Sequence, residues 1–172
     1  AEAIAQAAHA AQRVVVLGAG FAGLEAAYAL ARRGKQVTVV ERMGQILPNQ
    51  LDWSGSAIIQ DDLTRSGVRI LLDASVASIN GEGAVSSVTL TDRSSLPAEL
   101  VIVATGTRPN IALAQEAGLA VGRGVVVDAQ LQTSDPQIYA AGDVIEIDDV
   151  STGRRVTSAT WFNAVLQGKY AA

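Results

Sequence analysis

The chain has 172 residues, of which 49% are hydrophobic and 17% charged, and its formal net charge is -4. This length fits one domain, or one domain with part of another, and supplies enough apolar residues for a buried core. The acidic balance argues against nucleic-acid binding, which needs a basic surface. The absence of cysteine excludes disulfides and a thiolate nucleophile, and the single histidine, His9, excludes a histidine-based triad or metal site.

The ends of the chain and its hydropathy bear on location. No apolar run approaches the roughly 18 to 20 residues of a membrane span, and no basic start marks a secretion signal, so we expect a cytoplasmic protein without membrane contact. The chain begins without methionine and ends inside a predicted helix, so we expect it to be a piece of a longer protein.

The first part of the chain alternates strand and helix patterns. The predicted elements are a helix at 3–12, a strand at 13–17, a helix at 21–33, a strand at 36–40, a helix at 54–66 and a strand at 68–72. The predicted apolar face of the helix at 21–33 consists of Leu24, Ala27, Tyr28, Leu30 and Ala31. The predicted apolar residues of the helix at 54–66 are Ala57, Ile58 and Leu63. This β-α-β-α-β order calls for a parallel sheet.

The pattern changes at Ala74, where two short strands around Gly81-Glu82-Gly83 predict an antiparallel flap. Beyond the flap, the predicted elements are a strand at 100–104, a helix capped by Asn110 and ending at Ala117, short strands at 125–127 and 138–140, and a helix at 160–172. The predicted fold class is therefore α/β, a Rossmann-like doubly wound parallel sheet with an inserted antiparallel β flap.

The turn Gly18-Ala19-Gly20-Phe21-Ala22-Gly23, between the first strand and the next helix, predicts a dinucleotide site. Gly18 permits the tight turn, Gly20 lets a pyrophosphate approach the backbone, and Gly23 lets helix pack against strand. Bare N–H groups and the helix dipole would hold the phosphates. A glycine-rich turn that binds nothing is the alternative.

An acid at the end of the second strand strengthens this prediction. Glu41 follows the turn at close to the roughly 20-residue separation that places a carboxylate on the ribose hydroxyls, which favours NAD(H) over NADP(H). Arg42 could pair with a 2′-phosphate, but we interpret it as a solvated loop charge.

Two later segments, Val101–Asn110 with its Thr-Gly pair and Thr133–Val144 with its Gly-Asp pair, resemble the pyridine nucleotide-disulfide oxidoreductase family. Its members are FAD-dependent enzymes that take hydride from NAD(P)H, and they contain an FAD domain, an NAD(P)H domain inserted in it, and an interface domain. The resemblance implies an NAD(P)H-binding domain with its lead-in helix at 1–117 and an incomplete return into the FAD domain at 118–172. The rest of the FAD domain and the interface domain would then be partners from the parent chain.

The resemblance also implies roles for individual residues. It places the NAD pyrophosphate on the glycine turn, the adenosine ribose on Glu41, and the nicotinamide near Phe21 and Glu25. The segment Ala104-Thr105-Gly106 would border the nucleotide. Gly142-Asp143 would contact the flavin ribityl chain, and the helix of Asn163 and Gln167 would close over the flavin. The plainer alternatives are core packing for Phe21, a first-turn helix acid for Glu25, a strand-ending turn for Thr105-Gly106, and a cap for Asp143.

These observations predict the NADH-binding part of a flavin-dependent oxidoreductase that passes hydride from NADH to FAD and is inactive without its flavin domain. We expect no catalytic side chain and no metal site in this chain. Two alternatives stay open: the turn binds FAD itself, as in flavin monooxygenases or type II NADH dehydrogenases, or the chain is a non-catalytic NAD-sensing module. NADH oxidases, rubredoxin- or ferredoxin-type reductases and CoA-disulfide-type reductases fit equally, so the electron acceptor stays open.

Overall fold

A computed structural model describes residues 2–157 and 159–172 of the chain. They divide into two compact units between Gly106 and Thr107, and each unit is described by itself. This division falls before the predicted domain boundary at 117/118, because the short helix that precedes Gly118 belongs to the second unit. Within the described residues, every helix is too short or too polar to cross a membrane.

The first unit is a parallel sheet with an antiparallel flap. Its elements are α1 (Glu2–Ala10), β1 (Arg13–Leu17), α2 (Phe21–Ala31), β2 (Gln36–Val40), α3 (Trp53–Arg65), β3 (Val68–Leu71), β4 (Val76–Asn80), β5 (Ser87–Leu90), β6 (Ser95–Pro97) and β7 (Leu100–Val103). The parallel sheet has the order β3-β2-β1-β7, and the flap has the order β4-β5-β6. The predicted fold class is confirmed, and the flap has one strand more than predicted.

Strand β1 is buried on both faces. Val14 and Val16 belong to the core cluster that α1, α2 and α3 form on one face of the sheet. Val15 and Leu17 belong to a second cluster on the other face, where they meet Val88 of the flap. Because side chains alternate along a strand, each face needs its own cover. Helices cover one face, and the flap covers the other.

The predicted apolar faces of α2 and α3 need correction. Tyr28 and Ile58 are exposed, with 43% and 69% of their surface accessible, and Ala57 is exposed as well. The side of α3 that faces the core instead carries Ser56, which is 2% exposed. The Ser56 hydroxyl donates to the main-chain oxygen of Ile46 at 3.0 Å, so its polar group is satisfied in the core. Leu63 is buried in the core as predicted, so the correction to α3 concerns Ala57 and Ile58.

The second unit contains a small sheet and a terminal helix. Its elements are α4 (Ala112–Glu116), β8 (Val125–Val126), a single 3-10 turn (Gly142–Val144), β9 (Ile145–Asp149), β10 (Arg154–Val156) and α5 (Trp161–Ala171). The sheet has the order β10-β9-β8. In α5, the Thr160 hydroxyl caps the helix by accepting from the main-chain N–H of Asn163 at 3.2 Å.

One prediction for the second unit is wrong, and another is displaced by one residue. Residues 138–140 form no strand, because Tyr139 makes only an isolated bridge with Gln132. The N-cap position of α4 is Ile111, one residue after the predicted Asn110, but Oδ1 of Asn110 accepts from the N–H of Ala112, the first residue of α4, at 3.4 Å. Strands β9 and β10 were not predicted, because acidic and basic residues interrupt the apolar pattern on which strand prediction depends.

Candidate functional site

The glycine turn forms where the main chains of β1, α2 and β7 approach each other so closely that side chains do not fit between them. Gly18 has a φ of 101°, and a Cβ there would lie 2.5 Å from the main-chain oxygen of Ala104. A Cβ at Gly23 would lie 2.0 Å from the main-chain oxygen of Gly18. Side chains do not fit at either position. The conformational roles predicted for Gly18 and Gly23 are therefore confirmed.

Gly20 differs from its two neighbouring glycines. It is the N-cap of α2, with φ -81° and ψ 179°, a conformation open to any residue. A Cβ built on Gly20 would meet nothing within 4 Å. The fold itself therefore does not require glycine at this position, and the space above the backbone is open.

The main-chain N–H groups of the turn fall into two sets. Gly18 donates to the main-chain oxygen of Val40 at 2.9 Å, and Ala19 donates to the Glu41 carboxylate at 2.7 Å. The N–H groups of residues 20–23 have no acceptor among the described residues. Since they stand at the positive end of the α2 dipole, they form a place for an anion. The N–H groups available for a phosphate are thus those of Gly20 and the residues just after it, whereas the N–H groups of Gly18 and Ala19 already bond within the protein.

The Glu41 carboxylate lies directly beside the turn. It is buried, and its two oxygens accept from different main-chain groups: Oε2 from Ala19 at 2.7 Å and Oε1 from Met43 at 2.9 Å. A carboxylate oxygen can accept more than one hydrogen bond, so acceptor capacity remains on both oxygens. The predicted contact with a ribose would use this remaining capacity and stays a prediction. Arg42 is exposed and forms no ion pair with the described residues.

The contacts made by the loop that follows β2 were not predicted from the sequence. Leu47 is buried with a φ of 48°, unusual for a residue other than glycine, and its N–H donates to the main-chain oxygen of Ala19 at 3.0 Å. The buried Gln45 side chain donates to the main-chain oxygen of Leu51 at 2.9 Å, which holds the loop closed. Neither residue belongs to a periodic pattern, so the sequence offered no signal for these hydrogen bonds.

An apolar groove of about 400 Å³ runs along α2 from the glycine turn. It is lined by Phe21, Leu24, Glu25, Tyr28, Leu47, Leu51, Ile59 and Leu63. The side chain of Phe21 is 60% exposed, so core packing does not explain this residue. Glu25 lies one helical turn further along and is also exposed. The structure thus brings Phe21 and Glu25 to one groove, and their predicted nearness to a nicotinamide stays a prediction.

The predicted segment at the end of β7 also reaches the turn. Ala104 donates its N–H to the main-chain oxygen of Leu17 at 2.8 Å and backs directly onto Gly18. Thr105 and Gly106 follow at the exposed carboxyl edge of the sheet, where ligands of open α/β sheets bind.

Gly142 and Asp143 lie in the second unit, at the 3-10 turn that packs against α5. Gly142 has a φ of 83° and donates its N–H to Oε1 of Gln167 at 2.8 Å. The Asp143 side chain is exposed. The structure therefore joins Gly142 to Gln167, two residues that sequence resemblance had assigned to one flavin site. No group of three or more histidine or acidic side chains among the described residues could hold a metal ion.

Comparison with known proteins identifies the family. Residues 1–168 match the family model described as pyridine nucleotide-disulphide oxidoreductase. The chain belongs to this family. It is 42% identical over 161 residues to an NADH oxidase of Methanocaldococcus jannaschii, a match that covers 93% of this chain and 36% of the relative. A nitric oxide reductase FlRd-NAD(+) reductase of Vibrio vulnificus is 41% identical over 138 residues, which cover 80% of this chain and 36% of the relative.

Solved structures agree with the sequence comparison. The NAD-dependent persulfide reductase from A. fulgidus superposes with a TM-score of 0.94 and 34% identity, over 99% of this chain and 32% of that one. The chain thus spans about a third of the length of the relatives that it matches. The family predicted from sequence is confirmed.

Proposed function

We propose that this chain is the NADH-binding part of a flavin-dependent oxidoreductase. The observation that carries the proposal is the turn at the start of α2, where the N–H groups of residues 20–23 lack acceptors among the described residues and Gly20 leaves the space above them open. A pyrophosphate needs both features: donors for its oxygens and no side chain in its way. The names of two relatives, an NADH oxidase and a FlRd-NAD(+) reductase, support NAD(H) as the dinucleotide.

The ligand extends from the pyrophosphate in two directions in this proposal. The adenosine ribose lies over the carboxyl end of β2 and donates to Glu41, whose negative charge disfavours the additional phosphate of NADPH. The nicotinamide lies toward Phe21 and Glu25, which line the apolar groove beside α2. When both cofactors are bound, the nicotinamide supplies a hydride and FAD accepts it; the protein contributes binding and orientation.

The second unit belongs to the flavin side of this proposal. Gly142 and Asp143 would contact the ribityl chain of FAD, with Gln167 holding the Gly142 N–H in place. Further FAD and interface domains of a longer parent protein would complete that site, and a cytoplasmic location is part of the same proposal. The identity of the electron acceptor is left open, because the relatives named above differ in theirs.

Calorimetric titration of the purified chain with NADH, NADPH and FAD tests this function. We expect NADH to bind, NADPH to bind at least about tenfold more weakly because its 2′-phosphate meets a carboxylate, and FAD to bind more weakly than NADH. Tighter binding of FAD than of NADH would show that the turn is a flavin site. Failure of all three to bind would contradict the proposal. Mixing the chain with NADH and a dye acceptor should give no turnover until a flavin domain is supplied.

A further inference from the structure

Both sides of Ala19, the second residue of the glycine turn, are held by the segment that follows β2. The N–H of Ala19 donates to Oε2 of Glu41 at 2.7 Å, and the carbonyl oxygen of Ala19 accepts from the N–H of Leu47 at 3.0 Å. Ala19 is fully buried. These two bonds fix the part of the turn that immediately precedes the bare amides at residues 20–23.

The Glu41 side chain that makes the first of these bonds is itself firmly held. Its other oxygen accepts from the N–H of Met43 at 2.9 Å, and the carbonyl oxygen of Met43 accepts from Asp73 at 3.1 Å. The main chain of Glu41 bonds to Leu71 and Ala74, at 2.8 and 2.9 Å, at the end of β3. The main chain of Glu41 is therefore anchored to the end of β3, while its carboxylate is held by Ala19 and Met43.

This geometry explains why an acid stands so close to a phosphate site. A negative charge beside bound phosphate is unfavourable, so the carboxylate must supply something that a neutral group cannot. Glu41 faces two N–H donors, one on each oxygen. A carboxylate offers two acceptor oxygens, whereas an amide offers one oxygen and an NH₂ group that would oppose a donor.

We propose that Glu41 is a positioning residue for the phosphate site as well as a ribose ligand. Its carboxylate ties Ala19 to Met43 and, together with the Leu47 N–H, sets the turn so that the amides from Gly20 onward face outward before a dinucleotide arrives. A turn with three glycines would otherwise sample many conformations, and ordering it in advance lowers the cost of binding. This inference rests on the proposed function and extends it from ribose recognition to phosphate recognition.

The test compares Glu41→Gln with the wild-type chain, using inorganic pyrophosphate and NADH as probes. Pyrophosphate has no ribose, so neutralising a residue that serves only as a ribose ligand would leave its affinity unchanged or raise it, because a negative charge near the phosphates is removed. We expect Glu41→Gln to weaken pyrophosphate about tenfold, as for the loss of one charge-assisted hydrogen bond, and to weaken NADH further. Glu82→Gln is the matched control, because Glu82 is exposed on the flap, and it should change neither affinity.

Measurements on the ligand-free chain complete the test. Amide hydrogen exchange at Ala19 should be slow in the wild type and at least about tenfold faster in Glu41→Gln, with β1 and β2 still protected. A scalar coupling across the hydrogen bond, between the Ala19 nitrogen and Cδ of Glu41, should be detectable in the wild type even if the variant does not fold. Absence of that coupling, or unchanged or tighter pyrophosphate binding by a folded variant, would overturn the inference. If the wild type binds neither probe, the proposed function fails, and the exchange data still report on the positioning bond.

Discussion

A substitution at Gly20 should separate binding from folding at the candidate site. Gly20 has an ordinary backbone conformation, and a Cβ there meets no atom of the protein within 4 Å. A methyl or isopropyl group would instead occupy the space through which a pyrophosphate reaches the bare amides. We therefore expect Gly20→Ala and Gly20→Val to fold and to bind NADH progressively less well.

The size of the effect follows from the number of amides that lose their ligand. If the valine side chain displaces the pyrophosphate from two of them, at about 1.5 to 3 kcal/mol for each hydrogen bond to a charged group, the loss is about 3 to 6 kcal/mol. That corresponds to an NADH affinity roughly 10² to 10⁴ times weaker. The cost to stability is limited to a poorer N-cap for α2, about 1 kcal/mol or less, or roughly 2 to 4 °C in Tm.

Calorimetry with NADH and thermal unfolding without it measure the two quantities on the same samples. Gly168→Ala is a suitable control, because a Cβ at Gly168 in α5 also meets nothing within 4 Å and the first unit is unaltered. The control should retain NADH affinity. The reasoning is refuted if Gly20→Val binds NADH as tightly as the wild type, or if its loss of binding is accompanied by unfolding.

Three other substitutions test the account at different points. Gly23→Ala places a methyl carbon 2.0 Å from a main-chain oxygen of the turn, so it should lower the unfolding free energy by more than about 3 kcal/mol in denaturant titration; a stable variant would contradict the packing described for α2. Glu41→Ala should weaken NADH and narrow the preference for NADH over NADPH, and a preserved preference in calorimetry would remove the carboxylate from cofactor selection. Hydrogen bonds from the main-chain N–H groups of Gln12 and Arg13, together with the Arg13 side chain, hold the pKa of Glu99 below its ordinary value of 4.5. The lowered pKa of Glu99 stabilises the fold at pH values above its ordinary pKa, and this stabilisation is lost as the pH falls through the pKa of the folded protein. Glu99→Gln should therefore be less stable than the wild type at neutral pH and equally stable in strong acid. An equal loss of stability at both pH values would refute this.

The parallel sheet and the glycine turn were predictable because their signals are local. A run such as Val14 to Leu17 is apolar throughout because both faces of β1 are covered, and such runs mark buried strands. Gly18 and Gly23 stand where the backbone permits no side chain, so their spacing between a strand pattern and a helix pattern indicated the strand-to-helix turn.

The remaining features depend on contacts that are distant in sequence. The N–H of Leu47 donates to the carbonyl oxygen of Ala19, and the residue type of Leu47 does not predict that bond. Ser56 lies in the core because its hydroxyl reaches a main-chain oxygen, whereas Ile58 on the same helix is exposed. The second role of Glu41 was hidden for the same reason, because a motif specifies the acid but not the direction in which its two oxygens point.

A crystal structure of the chain with NADH would test the central claim most directly. The account predicts pyrophosphate oxygens within hydrogen-bonding distance of the main-chain nitrogens of Gly20 and Phe21, while Glu41 keeps its bond to Ala19 and accepts from the adenosine ribose. NADH bound elsewhere on the chain, with the nitrogens of Gly20 and Phe21 contacting only solvent, would contradict it.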